Sequence, residues 1–262
     1  MLSRLEFDLE KIRQQVDMSL HWLAQVPSTN DWAAKLVRQG QLPDQGAIVL
    51  TNQQTAGRGR RGNQWDSSQG CLTFTMAIKF ESMRSVWTNQ EKNWVALATG
   101  CAVCQVIQRL GFDASVKWPN DIMFQDRKLG GILIESIAGD ALLIGCGINL
   151  QNDVSKIDNA VSLQNDWPTG TELTTKFLID LVKQIHDQLD SLADGIAKVH
   201  RDFQEVDWLR GKRIRWVADQ NRPEKDYLTG VADGVDEMGG IRIITPDGIA
   251  EKYSGSILAL IS

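Results

Sequence analysis

Histidine and cysteine are scarce, three and four in 262 residues. Cys101 and Cys104 form a C-x-x-C, but they lie within Trp94 to Ile107, where apolar residues recur at helical spacing. Cys71 and Cys146 stand alone. A zinc site is set aside on that ground, and the cysteines read as small core residues. The first residues, Met-Leu-Ser-Arg-Leu-Glu-Phe-Asp, are too polar and acidic for a targeting segment, so a reducing cytoplasm is the expected location. No apolar run approaches the roughly 18 residues of a membrane span. An excess of basic charge is also missing. The 28 Lys and Arg against 33 Asp and Glu leave a net charge of −5, which argues against nucleic acid as the main partner. No Ser-His-Asp or Cys-His nucleophile arrangement stands out, and no Walker A motif or internal repeat occurs.

Basicity is instead local. Gln53 to Trp65 packs three glycines (Gly57, Gly59, Gly62), three arginines (Arg58, Arg60, Arg61) and a tryptophan between two strand-like runs. Glycine lets a backbone approach a ligand closely, and arginine presents a planar fork that fits phosphate or carboxylate. The segment reads as a flexible, anion-wrapping loop. Its glycines satisfy G-x-G-x-x-G, but that fingerprint needs a helix to follow. Here Asp66 to Gly70 is turn-like, and Leu72 to Phe80 alternates as a strand. The glycines therefore join strand to strand, and a dinucleotide fold is rejected. A kinase reading also fails: no Asp-Phe-Gly occurs, and Asp207 stands where His200-Arg201-Asp202 would require a metal-binding Asn.

The chain is long enough for one large domain plus a small one. A short amphipathic pattern (Leu5, Leu9, Ile12, Val16) occupies residues 1–20. A strand over Leu20 to Val26 and a helix ending at Gly40 follow, then the strands that flank the loop. A helix is expected from about Glu91 to Leu110, and a short strand over Ala114 to Trp118. A meander runs to Asn149 with turns at Gln125–Arg127 and Gly139-Asp140. Helical sequence covers about Glu172 to Val206. After Trp208 four short strands alternate with Gly/Asp turns, ending at Gly248 to Tyr253, and fit a small β barrel. The boundary is placed near 208–211, giving a short segment 1–20, a unit 21–208 and a unit 209–262.

Four further stretches carry polar residues or glycine where the apolar pattern does not require them. Ser28, Thr29 and Asn30 can cap a helix or line a pocket for a neutral polar head. Lys117, Asn120 and Asp121 cluster at a strand end, where burial is costly unless they are paired or bind something. Lys128 precedes Gly130 and Gly131, which let a ligand or backbone approach a strand. Gly145, Gly147 and Asn149 put small residues on one strand face. Together these residues call for a substrate with a polar head, an apolar middle and an anionic end, and for a polyanionic co-substrate. Several cations without an obvious base suit phosphate-centred chemistry.

The ordered series Ser-Thr-Asn, Gln-Thr-Ala-Gly-Arg-Gly-Arg-Arg-Gly…Trp, Lys-Trp-Pro-Asn-Asp, Lys-Leu-Gly-Gly-Ile-Leu-Ile-Glu and Gly-x-Gly-Ile-Asn-Leu closely resembles biotin–protein ligases. The resemblance implies an α+β fold. A class II synthetase-like catalytic domain, with a mixed, largely antiparallel sheet and flanking helices, would precede an SH3-like C-terminal barrel. It implies biotin and ATP with Mg2+ as reactants, biotinyl-5′-AMP as intermediate, and a lysine of a biotin carboxyl carrier protein, such as that of acetyl-CoA carboxylase, as acceptor. It places Ser28, Thr29, Asn30, Gln54, Gly59, Gly131 and Gly147 at biotin, and Arg58, Arg60 and Lys128 at the reacting carboxylate and phosphate. It places Arg61, Trp65, Lys117, Asn120, Asp121, Asn149 and Ser162 near the nucleotide, with Asp121 reaching a phosphate-bound magnesium. Asn63 departs from the family pattern, which usually has arginine after Gly62. Lipoate or octanoyl transfer on the same fold is the alternative. Only about 20 residues precede the matching region, too few for a winged-helix domain, so no DNA binding is expected; pairing of two copies through sheet edges is left open.

Overall fold

The computed structural model describes residues 5–80, 89–137, 141–164, 167, 170–219 and 226–260. The expected turn at Gly139-Asp140 lies outside them. Seven strands form one sheet: β1 (Ser19–Leu23), β2 (Ala47–Thr51), β3 (Cys71–Lys79), β4 (Ser115–Lys117), β5 (Asp121–Phe124), β6 (Arg127–Ile137) and β7 (Ala141–Asn149). Their spatial order is β1-β2-β3-β7-β6-β5-β4. β1 pairs with β2 in parallel, and every other neighbour is antiparallel. The β5–β6 connection is the two-residue turn Gln125-Asp126, both at positive φ, the geometry that matches strand twist.

The two faces of this sheet differ in chemistry. Leu72, Phe74, Met76 and Ile78 of β3, with Leu142, Ile144 and Ile148 of β7, belong to the main core. That core is completed by α3 (Asn89–Gln108), α4 (Thr171–Ala193) and α5 (Ile196–Val206). Trp94, Leu97, Phe177, Leu181 and Phe203 are buried there. α1 (Leu9–Gln15) joins the same layer through Ile12, and the Asp8 amide donates to Thr175 Oγ1. Residues 5–18 thus pack on the body, with Leu5, Ile12, Val16 and Met18 in the main core. The opposite face carries Thr73, Thr75, Ala77, Ala141, Leu143, Gly145 and Gly147. α2 (Thr29–Arg38) covers its far end through Ala33, Ala34 and Leu36. The alternation of β3 therefore separates one packed layer from another, not core from solvent: Thr73 and Thr75 are 3% and 0% exposed.

The second sheet is antiparallel, in the order β11-β10-β9-β8-β12. Its strands are β8 (Arg213–Val217), β9 (Tyr227–Val235), β10 (Ile241–Thr245), β11 (Gly248–Lys252) and β12 (Ser256–Leu260). This small sheet fits an SH3-like unit. Its fifth strand, β12, lies beyond the four expected from the sequence. Trp94 Nε1 and Trp118 Nε1 donate to the Glu237 and Gly239 carbonyls at 2.8 and 3.1 Å, fastening it to the main body. Among the described residues no helix is long and apolar enough to cross a membrane.

Candidate active site

The site lies where α2 stops covering the glycine- and threonine-bearing face. At its head end Ser28 caps α2, its hydroxyl accepting from the Asp31 amide at 3.4 Å. Thr29 donates to Gln54 Oε1 from its amide at 2.8 Å and its hydroxyl at 3.1 Å. Thr75 Oγ1 lies 2.8 Å from Thr29 Oγ1 and 2.6 Å from Asn30 Oδ1. Ser28, Thr29 and Asn30 are all almost fully buried. Such polar groups are tolerated in a core only when hydrogen-bonded. Gly145 is required here, since a Cβ would come within 2.4 Å of Asn30 Oδ1.

The glycine–arginine segment is not a slack loop but a small hairpin folded over this face. Arg58 and Gln64 pair as an isolated antiparallel bridge. The Trp65 amide donates to the Gly57 carbonyl at 3.0 Å, and the Gly59 amide to Asn63 at 2.7 Å. Arg61 (φ 57) and Gly62 (φ 77) make the reversal at its tip. The Trp65 ring lies on the strand floor, where a Cβ on Gly147 would sit 2.4 Å from Cε2. Arg60 Nη1 donates to Asn120 Oδ1 at 3.1 Å, and Asn120 Nδ2 to the Ile132 carbonyl at 2.7 Å. Arg58 also lines the cavity, but its guanidinium is committed to Glu135 and Asp31.

Three cations gather at the other end. Lys128 Nζ is 2.6 Å from Asp121 Oδ1 and 5.8 Å from the Trp65 ring centroid. Burial pushes the Lys117 amine below the usual lysine range, with Asp121 opposing and Lys128 and Lys212 adding to the shift. Burial likewise lowers Arg60, helped by Arg61 and opposed by Asp121. A region that disfavours its own positive charge is primed to gain from a polyanion. Arg60, Arg61, Trp65, Lys117, Asp121 and Lys128 line a cavity of about 200 Å³ together with Ser28, Gln54, Gly131 and Gly147.

Not every expected residue is there. Asn149 donates to the Val161 carbonyl and accepts from Asn152 Nδ2, and Ser162 donates to the Leu150 carbonyl. Neither lines the cavity; both close the segment after β7. Conversely, Thr73, Leu133, Ser256 and Ile257 line it unforeseen. Thr73 and Leu133 were readable as alternate positions of strands already assigned. Ser256 and Ile257 belong to β12, which went unrecognised. The buried thiols are inert: burial raises Cys71 to about 11 and Cys146 to about 12.

Residues 22–149 match the Biotin/lipoate A/B protein ligase family. The chain is 30% identical over 247 residues to the Bifunctional ligase/repressor BirA of Escherichia coli (strain K12), covering 90% of this chain and 72% of that protein. It is 24% identical over 223 residues to the Biotin--[acetyl-CoA-carboxylase] ligase of Mycobacterium tuberculosis, covering 83% and 80%. Among solved structures, the biotin protein ligase from Aquifex aeolicus in complex with biotin and ATP superposes with a TM-score of 0.76 at 25% identity, covering 92% of this chain and 97% of that one. Motif order, two-sheet architecture and these likenesses agree, and the chain belongs to the biotin/lipoate A/B protein ligase family, among its biotin–protein ligases.

Proposed function

We propose that this chain is an ATP-dependent biotin–protein ligase whose site residues divide into a head end, a floor and a cationic end. The division itself is the observation that carries the reading. One cavity joins the Ser28–Thr29–Gln54 cluster to Arg60, Lys117 and Lys128 across the glycine floor of β6 and β7. Gln54 Oε1 is held by two donors from Thr29, so its amide nitrogen is left for a neutral acceptor such as the ureido carbonyl of biotin. Gly131 and Gly147 form a floor without side chains, and the Trp65 ring resting on it is one wall of the space left for the apolar rings. The carboxylate then falls near Arg60 and Lys128.

In the first step a carboxylate oxygen attacks the α-phosphorus of ATP. The bond to the β-phosphate oxygen breaks, giving biotinyl-5′-AMP and pyrophosphate. Charge grows on the α-phosphate and leaving oxygens, where Lys128 and Arg60 stabilise it. In the second step a lysine amine attacks the mixed-anhydride carbonyl, AMP leaves, and the amine loses a proton. The acceptor is proposed to be a lysine of a biotin carboxyl carrier domain such as that of acetyl-CoA carboxylase. Magnesium is expected to arrive with ATP, bound chiefly by phosphate oxygens. Among the described residues no cluster of three His, Cys, Asp or Glu could hold it alone, and Asp121 offers one carboxylate once it parts from Lys128. Residues 21–208 are proposed as the catalytic unit, with 209–262 contributing Ser256 and Ile257 to its wall.

ATP–pyrophosphate exchange tests this directly, run with biotin, with lipoate and with neither. Exchange driven by biotin alone is expected. Exchange driven by lipoate instead would reassign the head end, and none from a folded sample would refute the adenylating step.

A further inference from the structure

Glu135 ends the Lys-Leu-Gly-Gly-Ile-Leu-Ile-Glu run and has no role in the chemistry above. Yet its carboxylate joins two separate parts of the site. Oε1 accepts from Arg58 Nη1 at 3.1 Å, and Oε2 accepts from Arg58 Nη2 at 3.1 Å. Oε2 also accepts from Asn30 Nδ2 at 2.7 Å. Asp31 Oδ1 completes the cluster, 2.6 Å from Arg58 Nη2. The fork of Arg58 is therefore filled by carboxylates on β6 and α2, and its charge is answered within the protein. These partners hold Arg58 above the usual arginine range, hydrogen bonding to Glu135 being the largest cause.

The second branch leads inward. With Nδ2 on Glu135, Asn30 turns Oδ1 to Thr75, and Thr75 lies against Thr29, which holds Gln54. One carboxylate thus touches both the hairpin over the site and the polar cluster at its head end. We propose that Glu135 is a positioning residue: through Arg58 it latches the glycine–arginine hairpin closed, and through Asn30 it ties closure to the head end of the biotin pocket. Arg58 then secures the lid, while Arg60 and Lys128 meet the substrate's charge. The latch is half-exposed, with side-chain exposures of 43% for Arg58 and 28% for Glu135, so it can open and close rather than lock. The coupling to biotin rests on the ligase reading; the latch itself does not.

The test uses the full chain. Glu135→Gln keeps an oxygen for Asn30 and deletes the ion pair. Arg58→Ala removes the fork, and Arg58→Lys keeps the charge without the two-pronged geometry. Hydrogen exchange of the hairpin amides, measured without any ligand, is expected to quicken about fivefold or more in Glu135→Gln and Arg58→Ala, while β3 and β7 stay protected. After one turnover, release of biotinyl-AMP into solution is expected to rise by roughly tenfold in each, and the biotin KM to rise more than kcat falls. The double variant should be no worse than the worse single, because both act through one contact. Arg58→Lys should rescue only in part. Unchanged hairpin exchange in Glu135→Gln, additive effects in the double variant, or full rescue by Arg58→Lys would each overturn the latch. If the wild-type chain made no adenylate, the ligase reading would fall, and the exchange experiment would still decide the latch.

Discussion

Lys128→Ala separates the resting role of this side chain from its role in the reaction. Its backbone is fixed independently: the amide donates to Asn159 at 2.8 Å, and the carbonyl accepts from Val161 at 2.9 Å. The side chain's resting partners are Asp121 at 2.6 Å and the face of Trp65. With side-chain exposures of 37% and 25%, the ion pair contributes roughly 0–1 kcal/mol to stability. The cation–π contact, at 5.8 Å, adds at most about 0.5 kcal/mol. The variant should therefore fold, with urea unfolding showing a loss near 1 kcal/mol. The transition state is another matter. Removing a donor aimed at developing charge costs about 2.7–4 kcal/mol, a factor of roughly 10² to 10³ in rate. Biotin binding is set mainly at the head end, so its Kd should change less than about threefold. Pyrophosphate exchange at saturating substrates, with calorimetric titration of biotin, reads both. Near-normal exchange would remove Lys128 from the chemistry. A collapse of biotin binding with an unchanged saturated rate would make it a ground-state contact instead.

Gly147→Ala would place its Cβ 2.4 Å from Trp65 Cε2, so the ring and its hairpin must lift. The biotin KM should rise at least about tenfold with unfolding stability within roughly 1 kcal/mol, and normal biotin binding would mean that the Trp65 packing is not part of the ligand-competent state. Asp207, at the turn between α5 and β8, is raised to about 6 by burial, against the opposing Leu209 amide. Its contribution is largest when it is protonated in both states, below its usual value of 3.8, and is lost as pH rises through about 6. Asp207→Asn should therefore stabilise the chain at pH 7.5, by about 1–2 kcal/mol after allowing for partial exposure, and flatten the gain that wild type shows towards pH 5. Urea midpoints at the two pH values that do not differ between variant and wild type would show that the carboxylate is hydrated in the folded state.

What could be read in advance follows from the range of each signal. The hairpin's glycines, arginines and tryptophan lie within thirteen consecutive residues, so their chemistry is visible before any folding is known. Helix and strand periods are equally local, which is why the sequence places β3 and the end of α2 within two residues of their true bounds. Glu135 closes a motif in which its role is not legible, because its partners lie 77 and 105 residues away in sequence. A glutamate on an alternating strand looks solvated until topology sets β6 beside α2. Asn149 and Ser162 are a different case. Polar residues at a strand end suit a ligand and a tight connection equally well, and here the connection takes their hydrogen bonds. β12 was missed because Ser256 to Leu260 follows the fourth barrel strand with no strong turn signal beyond Gly255. β3 shows what composition alone cannot decide. Its threonines alternate with Leu72, Phe74 and Met76 as they would beside water, yet the face they form is buried. Placing small and hydroxyl side chains there, opposite Gly145 and Gly147, leaves room between sheet and hairpin that large apolar residues would fill. The second layer is thin by sequence, and that thinness makes the space in which a ligand can lie.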